Sequence, residues 1–101
     1  MKTLNNFING KSVASSAESS YDLINPATGE TFMKAPNSNA ADVDSAMKAA
    51  ASAFEGWRDS TPGERQKAIN KIADAIEARS EELIAIESEN TGKPLAVTRA
   101  E

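Results

Sequence analysis

Apolar positions fall into two regimes along this chain. Up to residue 38 they come in short runs separated by Asn, Ser, Thr, Gly and Pro, and from residue 39 they recur at helical spacing in a stretch rich in Ala, Glu, Lys and Ile. The first regime predicts strands and turns. Asn6–Lys11 reads as a strand running into a turn, because Asn9 and Gly10 both tolerate positive φ. Ser12–Ser20, mostly Ser and Ala, reads as a loop between strands. Tyr21–Asn25 is the second strand, the turn Asn25-Pro26-Ala27-Thr28-Gly29-Glu30 follows, and Thr31–Ala35 is the third strand, ended by Pro36. Strands two and three are expected to form a hairpin.

The second regime predicts helices. Asn39 suits an N-cap, with Asp42 placed to favour the positive end of the helix dipole. Val43, Ala46, Met47, Ala50, Phe54 and Trp57 then follow the 3.6-residue period, and Gly56 weakens the last turn. Thr61-Pro62-Gly63-Glu64 carries the signature of a capping box with proline at the first helical position. The helix it opens has Ala68, Ile69, Ile72, Ala73 and Ile76 on one face, with Arg65, Lys67, Lys71 and Asp74 largely on the other. Ser80 is the expected N-cap of a third helix with Leu83, Ile84 and Ile86 as its apolar set, terminated by Thr91-Gly92-Lys93-Pro94. Val97–Glu101 reads as the start of another helix.

Composition weakens the core that this pattern promises. Apolar residues make up 40% of the 101, but many are alanine and the aromatics are only Phe7, Tyr21, Phe32, Phe54 and Trp57. At roughly 25 cal/mol per Å² of apolar surface buried, an alanine-rich core contributes little, and a chain this short buries a modest share of its surface. The apolar faces are expected to pack against further polypeptide.

The net charge of −4 argues against nucleic acid and against an anionic membrane, since both need a Lys/Arg excess. No apolar run approaches the ~20 residues of a membrane span, and Met1–Gly10 lacks a signal-peptide pattern. The expected location is the cytoplasm. The chain has neither cysteine nor histidine, so thiol chemistry, disulfides and the commonest zinc ligands are absent from it.

The remaining polar groups carry structural readings. Glu81, Glu82, Glu87 and Glu89 read as a solvated helix face. Lys93 follows a glycine, but Asn90-Thr91-Gly92-Lys93-Pro94 has neither the earlier glycine nor the following Ser/Thr of a phosphate loop. Arg65 reads as a structural arginine bonded to a carbonyl or carboxylate, and Trp57 as core.

The ordered set of motifs resembles the amino-terminal region of the aldehyde dehydrogenase superfamily. The residues are Phe7-Ile8-Asn9-Gly10, Ile24–Glu30, Asp42-Val43-Asp44 with Ala46, Ala49 and Ala50, then Phe54, Trp57, Thr61-Pro62, Glu64-Arg65, Ala73, Ile76-Glu77, Glu82-Leu83 and Thr91-Gly92-Lys93-Pro94. The resemblance implies an α/β fold. Residues 1–101 would be an incomplete, amino-terminal part of a Rossmann-like cofactor domain: short strands with a hairpin over 1–38, then about three α-helices over 39–101. It also implies a longer parent enzyme, in which a cysteine thiolate attacks an aldehyde, NAD or NADP accepts hydride and a glutamate activates water to release the acid. In the family those residues and the dinucleotide-binding loop lie beyond position 101. No catalytic or cofactor-binding residue is therefore assigned here, and the isolated chain is expected to be inactive. The parent is expected to act on an aldehyde and to form a homo-oligomer.

In relatives acting on betaine aldehyde and aminoaldehydes, which the Leu-Ile-Asn-Pro-Ala-Thr-Gly-Glu and Thr-Gly-Lys-Pro-Leu pieces resemble most, a potassium or sodium ion binds near the second strand and a helix end. The resemblance places that ion at Leu23, Ile24 and Asn90, with Asn90 standing where aspartate is usual. The alternative expectation is a helical interaction module that associates through the Val43–Trp57 face and does no catalysis.

Overall fold

The computed structural model describes residues 2–101. Its elements are β1 (Asn6–Ile8), β2 (Lys11–Val13), β3 (Ser20–Ile24), β4 (Thr31–Pro36), α1 (Ala40–Arg58), α2 (Pro62–Ala78), α3 (Ser80–Thr91) and α4 (Leu95–Ala100). They fall into two compact units, one taking the chain up to Ile24 with Thr31–Arg58, the other Asn25–Glu30 with Asp59–Glu101.

The first unit holds two antiparallel strand pairs and α1. β1 and β2 pair Asn6 with Val13, Phe7 with Ser12 and Ile8 with Lys11. Asn9 and Gly10 form the connection with φ of 53° and 73°, the hand that matches strand twist. This corrects the single strand expected there: Lys11–Val13 is a second strand, and the loop is shorter at its start. All three residues of β2 are exposed, so no buried alternation betrays the strand in the sequence.

β3 and β4 form the expected hairpin, pairing Tyr21 with Ala35, Asp22 with Lys34 and Leu23 with Met33. Lys34 Nζ lies 2.7 Å from Asp22 Oδ1 across the pair, a favourable cross-strand contact. The register shifts between Leu23 and Ile24, whose partner is Thr31, so Phe32 is the additional residue on β4. The other side of β4 is taken by the start of the chain: Leu4 N donates to Lys34 O and Lys34 N donates to Lys2 O.

Asn39 caps α1 as expected. Its Oδ1 accepts from Asp42 N at 3.0 Å while Asp42 Oδ2 accepts from Asn39 N at 3.3 Å, a capping box with aspartate in the place of glutamate.

In the second unit the Asn25–Glu30 turn is closed by Asn25 N donating to Glu30 O and by Gly29 N donating to Asn25 O. Asn25 Oδ1 also accepts from Ala27 N at 2.9 Å. The capping box of α2 is present as read from the sequence: Thr61 Oγ1 accepts from Glu64 N at 3.2 Å and Glu64 Oε2 from Thr61 N at 2.8 Å.

The α2–α3 junction departs from expectation. Arg79, with φ −110°, is the cap residue, Ser80 is already helical, and no side chain caps the start of α3. The Arg79 amide is still bonded back to Ala75 and Ile76 carbonyls while its own carbonyl accepts from Leu83 N, so α3 starts directly from the end of α2 and Ser80 falls inside the helix. The Arg79 guanidinium instead grips Glu82 with two hydrogen bonds of 2.8 and 2.7 Å. α4 adds a fourth helix and begins at Leu95, earlier than the Val97 expected.

The core is small. Among the described residues Ala35 is the one buried apolar side chain and Asp42 the one buried polar one. Trp57, read as core from its spacing, is 49% exposed, and Phe54 59%. The helical period is correct, but within this chain little packs over that face.

Candidate functional site

The sequence motifs converge at one corner of the second unit. α3 ends on Gly92 at φ 76°, with its amide donating to Ser88 O. A Cβ on Gly92 would stand 2.9 Å from Pro26 Cγ and 3.6 Å from Pro26 Cβ. The Asn-Pro-Ala-Thr-Gly turn and the Thr-Gly-Lys-Pro helix end are therefore in contact, and only glycine supplies both the backbone conformation and the space.

Around this corner the polar groups are bound to one another. Thr91 Oγ1 donates to Glu87 O at 2.8 Å and accepts from Lys93 N at 3.2 Å. Ser88 Oγ donates to Lys93 O at 2.7 Å. Lys93 Nζ is hydrogen-bonded to Glu101, with Glu87 at 3.8 Å. The Glu101 hydrogen bond, with the charges of both acids, raises the lysine's pKa, so it stays a cation and has no base character. The amides of Gly92 and Lys93 are turned back on their own chain, donating to Ser88 O and Thr91 Oγ1.

Glu81 and Glu82 of α3 are ion-paired and exposed. Arg99 Nη1 lies 2.5 Å from Glu81 Oε1, and that hydrogen bond lowers the Glu81 pKa. Glu81 is thus held as an ion-paired carboxylate, and Glu82 is gripped by Arg79. Arg65 is structural as read: its Nη1 donates to Ser60 O at 2.5 Å. An apolar groove of about 260 Å³ runs along Ile72, Ala75, Ile76 and Leu83, with Arg79 also lining it.

The expected ion ligands lie on separate units. Leu23 and Ile24 end β3 at the register shift, and Asn90 is in the last turn of α3, where helix carbonyls lack intrahelical partners. Among the described residues no group of three or more His, Cys, Asp or Glu could hold a metal. Among the described residues no helix is long and apolar enough to cross a membrane.

One polar centre was not read from the sequence. Asp42 accepts from Ser15 Oγ at 2.5 Å, Ser16 N at 2.9 Å and Ser16 Oγ at 2.8 Å, in addition to Asn39 N. The Ser15 hydroxyl and the Ser16 amide are the largest causes that pull its pKa from 3.8 to about 2. Consecutive serines in the Ser12–Ser20 stretch were the available signal, but the stretch carries no indication of which helix it meets.

Residues 13–101 match the family model described as the aldehyde dehydrogenase family. The chain is 43% identical over 96 residues to 2-aminomuconic semialdehyde dehydrogenase of Danio rerio, covering 95% of this chain and 19% of that protein. It thus spans about a fifth of the length of the curated relatives it matches. Among solved structures, an NAD-dependent aldehyde dehydrogenase from Sinorhizobium meliloti is similar with a TM-score of 0.89 and 38% identity, over 97% of this chain and 20% of that one. An aldehyde dehydrogenase from Bartonella henselae gives a TM-score of 0.92 at 28% identity, over 97% of this chain and 21% of the other. With a match that runs from the second strand to the last residue and a backbone that follows solved members throughout, the chain belongs to the aldehyde dehydrogenase family.

Proposed function

We propose that this chain is the amino-terminal part of the cofactor domain of an NAD- or NADP-dependent aldehyde dehydrogenase, which oxidises an aldehyde to a carboxylic acid in the cytoplasm as a homo-oligomer. The observation that carries the reading is the family match over residues 13–101 in a chain with no cysteine. Its role is scaffold: capped helices and the Pro26–Gly92 corner hold backbone in place, while the thiolate, the oxyanion donor and the dinucleotide loop come from later chain. The open groove along Ile72, Ile76 and Leu83 supports a role in which more polypeptide packs there.

Within the family, an aldehyde bearing an amino group is the proposed substrate class. The Leu23–Glu30 and Thr91–Leu95 pieces support it, as does the similarity to a 2-aminomuconic semialdehyde dehydrogenase. A potassium or sodium ion is proposed at Leu23, Ile24 and Asn90. Such an ion prefers hard oxygen donors; the register shift at Ile24 and the end of α3 near Asn90, each in its own unit, are places where backbone carbonyls are of that kind.

The test compares the 101-residue polypeptide with a longer aldehyde dehydrogenase chain that begins with it, each given NAD⁺ or NADP⁺ and an aminoaldehyde. Reduced nicotinamide is expected from the longer chain alone. Turnover by the pure 101-residue polypeptide would overturn the scaffold reading.

A further inference from the structure

We infer that Asn9 is a site of spontaneous covalent modification: the main-chain nitrogen of Gly10 closes on the side-chain carbonyl carbon of Asn9, ammonia leaves, and water opens the ring to aspartate or isoaspartate. The inference concerns the β1–β2 connection and does not depend on the proposed activity.

The reaction needs a nitrogen that is uncrowded, unbonded and in water. Asn9-Gly10 is the single Asn-Gly pair of the chain. Both residues are exposed, and a Cβ built on Gly10 would meet nothing within 4 Å. The pairing of Ile8 with Lys11 closes the connection and leaves the Gly10 N–H outside the ladder. Among the described residues that N–H has no acceptor and the Asn9 side chain has no partner.

The other asparagines each lack one of these conditions. Asn25 precedes Pro26, whose nitrogen carries no hydrogen. Asn70 and Asn90 lie inside α2 and α3, where the following amides are tied into the helix ladder. The Asn39 side-chain oxygen is engaged by Asp42 N and Ser16 Oγ, both at 3.0 Å. The side-chain amides of Asn5 and Asn6 donate to Ser12 and Ser38. Asn37 is followed by Ser38, whose side chain crowds the attacking nitrogen.

Ring closure also requires the Asn9 main chain to rotate, and β1–β2 permits it. The sheet has two strands joined by three residue pairs, and all of β2 is exposed. A hairpin of this kind is marginal in water and opens locally without unfolding of the rest. As the Gly10 N–Cγ bond forms, the Cγ–NH2 bond breaks and the Gly10 amide proton leaves with the ammonia. Water attack at the side-chain carbonyl of the ring yields aspartate, and attack at the main-chain carbonyl yields isoaspartate. Either product adds one negative charge beside Lys11. Isoaspartate also inserts a methylene into the main chain, so the two-residue turn no longer matches the twist of its strands.

The test keeps a longer aldehyde dehydrogenase chain that begins with these residues, folded, in mildly alkaline buffer for several days. Trypsin then releases residues 3–11, in which Asn5 and Asn6 compete with Asn9. The expected result is a peptide heavier by water less ammonia, with the change placed at Asn9 by fragmentation and divided between two separable products of equal mass. Asn5, Asn6 and Asn37 should remain unchanged. Asn9→Gly keeps a turn that accepts positive φ and should lose the acidic shift that the parent shows on isoelectric focusing. An Asn9 that stays intact in the folded chain but converts after unfolding in urea, conversion at Asn37 ahead of Asn9, or aspartate as the sole product would each overturn the inference.

Discussion

Gly92 and Pro26, 66 positions apart in sequence, meet so closely that the proline ring occupies the space of any side chain at 92. The contact joins the two most distinctive sequence pieces of the chain into one corner. It also explains why the glycine is demanded twice over, once by its φ of 76° and once by its neighbour.

Gly92→Ala is therefore expected to destabilise the chain by about 2 kcal/mol, from the left-handed conformation together with displacement of the ring. Adding Pro26→Ala should recover the steric part and leave about 1 kcal/mol. Chemical denaturation of the three variants measures both steps. An alanine variant as stable as the parent would show that the approach is looser than described.

Asp42 makes stability depend on acid. Its pKa of about 2 in the folded chain lies below the ordinary 3.8, so its contribution is complete above pH 3.8, declines as pH falls toward 2 and is absent below both values. Asp42→Asn is expected to remove this part of the acid-unfolding profile, seen as a flatter pH dependence of the melting temperature between about 4 and 2. A wild-type profile that matches the variant's in that window would refute the hydrogen-bonded centre.

The reciprocal cap at Thr61 and Glu64 should be separable into halves. Thr61→Ala is expected to cost about 1 kcal/mol by exposing an uncapped amide of α2. Glu64→Gln keeps an acceptor for the Thr61 amide and should cost less than Glu64→Ala. Thermal melts followed by circular dichroism rank the three.

For the proposed monovalent ion, a potassium titration should shift the amide resonances of Leu23, Ile24 and Asn90 and leave those of β1 unmoved. Asn90→Asp returns a negative charge to the site and should tighten binding. No shift at any of the three residues up to saturating salt would sink the site.

Local signals were legible where they are self-contained. The Thr61 box, the Asn39 cap, the Asn9-Gly10 turn and the β3–β4 hairpin each depend on residues within a few positions of one another, and each was anticipated. Lys11–Val13 escaped because a strand exposed on both faces has no hydrophobic alternation. Ser80 misled because Arg79, the last residue bonded to α2, is itself the cap position, so the serine falls inside α3. The Ser15–Ser16–Asp42 centre spans 26 residues or more, and nothing in hydroxyl-rich sequence encodes its partner. Trp57 shows the limit of periodicity, which gives the face of a helix but not what covers it. The reaction itself had no residue in this chain from which to be read, so it entered through resemblance alone.

Residues 2–4 have a protective role that follows from their bonding to Lys34 of β4. Because Lys2 and Leu4 bond to Lys34 on one side and β3 pairs on the other, β4 is covered on both edges at Lys34. Displacing this segment would free the Lys34 N–H and C=O on that edge, beside Phe32, Met33 and Ala35, for pairing with other chains. Residues 2–4 thus guard this part of β4 against pairing with other chains.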